Sequence, residues 1–339
     1  MRARMTRTAG TAHSLDRANG TRYRNVFAAV ASIGMVLGVF MLPGCASQTT
    51  TTGPGAAQAA EPSLEPFVQT LEGTTATFEM VPVPAGTVQV RNPDDPSQMM
   101  TVEVGPFWVA TTETVWDTYD IWVHSLDQPF DDGSNGSNGF DSGEMIEGED
   151  ADAISRPSKP YLPPDRGFGY VRYPAISLTF HAADAYCAWL TEKTGKPYRL
   201  PTEAEWQYAI AAGAAGPYAW GDDPAQADAY AWYHANSPIK TEEVAQKEPN
   251  AWGLFDGHGN VGEWVVGMNG KPIVCGGSYK DDVDGLTLDA RVSQTYEWNE
   301  SDPQIPKSQW WLADCSFVGF RVICIPDDDD QEAGADSLD

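Results

Sequence analysis

Three sets of side chains in this 339-residue chain have types and spacings that could do chemistry. Five cysteines are present, at Cys45, Cys187, Cys275, Cys315 and Cys324. The last four permit two disulfides in three possible pairings. No CxxC occurs, and the five histidines lack ligand spacing, so a zinc site is not expected. Asp281, Asp282, Asp284 and Asp289 bring enough oxygen together to bind a cation, or else form a solvated acidic loop. Tyr296, Trp298, Trp310 and Trp311 could wall a ligand groove, or fill a core.

Charge narrows the partners. The chain carries 21 basic and 48 acidic residues, a formal charge of -27 that repels a phosphate backbone and excludes nucleic-acid binding. Divalent metal ions and cationic partners suit it better. A mean hydropathy of -0.37 excludes a multi-span membrane protein. Six arginines precede residue 25, and an apolar run follows from Val26 to Leu42. That is the layout of a secretory signal. The run ends Leu42-Pro43-Gly44-Cys45-Ala46-Ser47, which resembles a bacterial lipobox with Cys45 as the lipidated residue. The expectation is an exported protein, lipid-anchored to the cell envelope on the periplasmic face or outer membrane. Residues 1–44 read as the signal peptide, 45–76 as a Thr/Gly/Pro/Ala-rich tether, 77–326 as the folded domain and 327–339 as a disordered acidic tail.

The elements that must position these groups are short. Thr77–Val90 reads as a strand, a Pro/Gly turn and a second strand, and Val102–Thr112 as a further strand pair. Glu113–Ser125 carries Val115, Tyr119, Trp122 and Val123 at helical spacing. The stretch 128–155 is acidic, rich in Gly, Ser and Asn, and reads as an insertion. Ala182–Thr194 reads as a helix stopped at Gly195, and Thr202–Ala212 as a second with a capping box between Thr202 and Glu205. Phe317–Ile325 is the last expected strand. The class is α+β, with two moderate helices and much loop rich in Trp and Gly.

Several segments then coincide with one pattern: MVPVPAGTV (80–88), ETVWDTYDIW (113–122), YPAISLTFHAADAYCAWL (173–190), YRLPTEAEWQYA (198–209), YAWGDD (218–223), PNAWGLFDGHGNVGEW (249–264), CGGSY (275–279) and VGFRV (318–322). In this order, from Glu79 to Ile325, they resemble the formylglycine-generating enzyme, or sulfatase-modifying factor, family. The resemblance implies a C-type-lectin-like α+β fold. It also implies a calcium site, formed by the side chains of Asp256 and Glu263 with the carbonyls of Gly259 and Val261, since hard oxygens on a tight loop suit Ca²⁺. A second family site would use Asn236 and the Ser237 carbonyl, but its aspartate partner has no match here. The expected disulfides are Cys187–Cys324, after the bridge of family relatives, and Cys275–Cys315.

The family's oxidases hold Cu(I) between two cysteines five apart after the GGS motif, as soft thiolates select Cu(I). Here Asp281 and Leu286 stand at those positions. Copper is not expected, and no catalytic residue is assigned. The superfamily's iron-dependent sulfoxide synthases need a histidine-bearing helical domain that this chain lacks. The expected role is a binding or scaffolding module for a peptide, protein or glycan at the envelope. The alternative is a formylglycine-generating oxidase, or an accessory factor for sulfatase maturation.

Overall fold

The computed structural model describes residues 64–127, 156, 157, 160 and 162–326. The signal segment, Cys45, the insertion 128–155 and the tail 327–339 lie outside the described residues. None of the described helices is long and apolar enough to cross a membrane.

In chain order the strands are β1 (Phe67–Thr70), β2 (Thr77–Val83), β3 (Gly86–Arg91), β4 (Met99–Val104), β5 (Phe107–Ala110), β6 (Tyr198–Arg199), β7 (Gly262–Val266), β8 (Pro272–Cys275), β9 (Arg291–Val292), β10 (Val318–Gly319) and β11 (Ile323–Cys324). The helices are α1 (Trp116–Val123), α2 (Phe180–Thr194), α3 (Glu203–Ala211) and α4 (Ala227–Tyr230). One sheet runs β1-β2-β5-β11-β6, a second β10-β7-β8-β9, and β3 pairs with β4 alone. The architecture is α+β with short strands, as the composition of the segments implied.

Local chemistry sets the helices. The Thr179 hydroxyl accepts from Ala182 N at 3.1 Å to open α2, and Gly195 closes it in the left-handed region at φ 72°. At α3, Glu205 N donates to the Thr202 hydroxyl and Thr202 N donates to the Glu205 carboxylate, which completes the expected capping box. Arg199 reaches the same carboxylate through two donors, at 2.8 and 2.7 Å, and so ties β6 to the start of α3.

The strands depart from expectation in three places. Across 77–112 the pairing is shifted by one strand: β2 pairs with β1 and β5 rather than with β3, and β3 forms an antiparallel hairpin with β4. The segment 317–325 is two strands rather than one. β10 runs parallel to β7 in the second sheet, and β11 lies antiparallel between β5 and β6 in the first. Residues 67–76 do not belong to the tether. Phe67 pairs with Met80 through β1, and Leu71 is fully buried, so this segment has apolar surface to hide and hides it.

Two large apolar clusters form most of the core, with a small third around Tyr218, Ala231 and Leu286. One gathers the rings of α1 and α2 against Trp264, Trp310, Trp311 and Phe320. Tyr119 sits among them, 5.4 Å from both Trp122 and Tyr186 and 6.0 Å from Phe320, at tilted or edge-on angles. The other packs α3 through Trp206 and Ile210 against Val109, Val265 and Ile323. Trp298, Trp310 and Trp311 are therefore core and not a groove, while Tyr296 lies on the surface.

Candidate functional site

The GLFDGHGNVGEW loop, 253–264, meets Arg321 inside the protein. Arg321 is 1% exposed and spends every donor on protein oxygens. Its Nε and Nη2 grip the Glu263 carboxylate at 2.7 and 2.6 Å. Nη2 also reaches Phe255 O at 2.9 Å, and Nη1 reaches Ala110 O at 3.2 Å. Trp206 Nε1 adds a third bond to Glu263, at 2.7 Å. The pair is bidentate and fully dry, which makes it specific but costly to break from one side. Arg321 lies between β10 and β11, so the turn that changes sheets also delivers the charge.

The rest of the loop is held by backbone substitutes. Asn260 (φ 51°) accepts from Glu242 N at 2.9 Å through its side chain, while its own N–H donates to Trp232 O at 2.7 Å. Gly259 (φ 79°) passes so close to Trp232 O that a Cβ would sit 2.2 Å from it. His258 is buried between Leu286 O on Nδ1 and Ala219 N on Nε2, and burial pulls its pKa down to about 4.

Two carboxylates in this region are left incomplete. Asp256 is 2% exposed; its Oδ2 accepts from Ala245 N at 2.7 Å, but its Oδ1 has no hydrogen-bond partner. Glu113 is 1% exposed, and neither of its carboxylate oxygens has one. Burial above all, then the charges of Asp256 and Glu263, raises the Glu113 pKa well above the usual range. Burial raises Asp256 to about 6. Sequence reasoning missed Glu113 and Arg321. The signal for both was a lone charge inside an apolar run, FWVATTETVW and VGFRV, because a charge in such a place must be paired or neutralised.

The calcium expectation fits this geometry in part. Asp256 offers a free, buried oxygen. Glu263 does not, since Arg321 and Trp206 occupy both of its oxygens. Among the described residues no three His, Cys, Asp or Glu side chains gather into a metal-holding group. At the second family position, Asn236 is spent as a turn clamp, on Tyr233 N, Ala231 O and Asp228 Oδ1.

The copper positions are also closed. Asp281 Oδ2 accepts from Ser278 N and Ser278 Oγ, both at 2.8 Å, and Asp281 O accepts from His234 N. Leu286 is fully buried, packed with Tyr218 and Ala231. Of the other acids in this run, Asp289 pairs with Arg91 at 3.0 Å, and Asp282 and Asp284 face solvent.

Neither expected disulfide is formed. Cys275 packs in the α3 cluster and Cys315 in the α1–α2 cluster, both as buried thiols. Cys187 and Cys324 share a cluster, but Cys187 is a thiol and the Cys324 Sγ is turned to Ile325 O at 3.8 Å. Burial pushes the Cys315 thiol up to about 12.

Residues 68–323 match the sulfatase-modifying factor enzyme 1-like domain, and the chain belongs to that family. A formylglycine-generating enzyme of Streptomyces coelicolor is 37% identical over 108 residues, which cover 28% of this chain and 32% of that protein. An inactive C-alpha-formylglycine-generating enzyme 2 of Bos taurus is 31% identical over 134 residues, 34% of this chain and 41% of that one. The chain thus aligns with less than half the length of these relatives. Among solved structures, Treponema denticola variable protein 1 shares the fold, with a TM-score of 0.56 at 21% identity, covering 78% of this chain and all of that one.

Proposed function

We propose that this chain is a cell-envelope lipoprotein, anchored through Cys45, whose sulfatase-modifying-factor domain binds or scaffolds a peptide, protein or glycan and does not oxidise it. One observation carries the reading: Asp281 is locked onto Ser278 and Leu286 is buried, where the family's oxidases need two thiolates. A carboxylate and an alkyl group cannot hold Cu(I) or relay its electron. Burial holds both nearby thiols protonated: Cys275, which directly precedes the turn, and Cys315, which feels the charge of Lys280. The likeness to a mammalian relative named as inactive supports the same direction.

Oxygen uptake with a sulfatase-type cysteine peptide tests the reading. The purified protein should consume no oxygen above the peptide-free rate, with or without copper. Copper-dependent turnover would overturn it. In whole cells fed a labelled fatty acid, the wild type should take up the label and Cys45→Ala should not.

A further inference from the structure

A cavity of about 450 Å³ lies beside the start of α1. That volume is in the range of small-ligand sites, about 300–1,000 Å³. It is lined from β2 by Thr77, Phe78 and Glu79, and from the segment 110–118 by a run of threonines and Glu113. Exposed Glu79 and Arg172 share the lining with buried Glu113, so the cavity runs inward from the surface. The turn 275–287 contributes nothing to it, and the 253–264 loop only Phe255. It is therefore separate from the copper positions and from the calcium motif.

Its charges are unevenly matched. Glu113 is 1% exposed and neither carboxylate oxygen has a hydrogen-bond partner, a costly state for a buried acid. Glu79 and Asp117 add two exposed carboxylates. The Thr112 hydroxyl donates to Glu113 O at 3.0 Å, which leaves its lone pairs as acceptors. Against three acids stands one base, Arg172. Its guanidinium is engaged by the 243–244 segment: Nη2 donates to Val244 O at 3.2 Å, and Nε lies 3.9 Å from Glu243 Oε2. Val68, Val115, Phe255 and Val322 make the wall partly apolar.

We infer that this cavity binds a primary alkylammonium group, with the cation against Glu113 and the alkyl stem along the apolar wall. An ammonium has three donors and no acceptor, which matches the acceptors gathered here. It would also supply the counter-charge that Glu113 lacks. A lysine side chain of a peptide and a free amine present the same chemistry. The inference names a ligand class for the binding role proposed above and rests on that role.

Isothermal titration of the full chain uses two probes: Nα-acetyl-lysine methylamide for a peptide lysine, and butylamine for a free amine. Nα-acetyl-norleucine methylamide keeps the stem without the ammonium, and should bind at least tenfold more weakly than the lysine probe. A lysine probe that binds more tightly than butylamine identifies a peptide source, and the converse a free amine. Glu113→Gln, its fold checked by melting, should weaken both amines at least tenfold. Glu79→Gln and Arg172→Gln alter exposed residues and keep the test open should Glu113→Gln not fold. Through charge, the first should weaken and the second tighten the amines by about twofold or more. Silence of both amines, equal binding of the norleucine probe, or undiminished binding by folded Glu113→Gln would overturn the proposal. So would weaker amine binding by Arg172→Gln, which would mark the cavity as an anion site. Oxygen uptake on the same samples separates the two failures. Copper-dependent turnover beside amine binding would overturn the binding-only role and leave this site standing, and amine silence without turnover would do the reverse.

Discussion

Arg321 and Glu263 form a buried pair whose bidentate bonds and third partner, Trp206, leave no donor or acceptor to spare. Cysteine behaves here as the opposite kind of residue, a small apolar filler. Cys275 and Cys315 lie in separate clusters, and burial raises both thiols. In the native protein neither should react with a thiol reagent at pH 8, because the thiolate is the nucleophile. Unfolded in denaturant without reductant, both should react, as peptide mapping of the labelled protein would show. Silence until reductant is added would restore the Cys275–Cys315 bridge. At this scale the sequence was readable wherever a residue sat in a dense motif, as Asp256 and Glu263 do. Glu113 was hidden because ETVW reads equally well as a helix start, and only tertiary contacts reveal that its carboxylate is left dry.

Elements with strong ends were legible. α2 and α3 carry a hydroxyl cap at one end and a stop or left-handed residue at the other, and the structure places both within about two residues of expectation. Two-residue strands such as β6, β9, β10 and β11 were not legible, because a period of two cannot register in so short a run. The sheet order was equally hidden, since β11 finds its neighbours β5 and β6 by packing and not by local turns. The capping box of α3 has a pH signature. Burial tends to raise the Glu205 pKa, but hydrogen bonds and charge from Arg199 outweigh it and hold the carboxyl below its usual value. The folded state therefore binds that proton less readily than the unfolded chain. Its contribution is complete above about pH 4.5 and is lost as pH falls below that value. Glu205→Gln keeps the cap acceptor but loses the ion pair. It should cost on the order of 1 kcal/mol at pH 7, a modest figure because Arg199 is partly exposed to solvent. Urea unfolding at pH 7 and pH 3 should show the gap to wild type closing at the lower pH. A gap of constant size would mean that the charge of Glu205 does not matter.

The molecule as a whole is closed by its last described segment. β10 joins the second sheet, β11 fills the place between β5 and β6 in the first, and Arg321 between them neutralises Glu263. Until that segment arrives, the first sheet is split and Glu263 has no counter-charge. A chain ending at residue 316 should accordingly unfold without cooperativity and fall quickly to protease, whereas one ending at 326 should resist. Ribosomes build this domain from the other end, so almost every residue must emerge before either of the two larger sheets is finished. The nascent chain is thereby kept threadable: it cannot lock into its final shape ahead of its own synthesis.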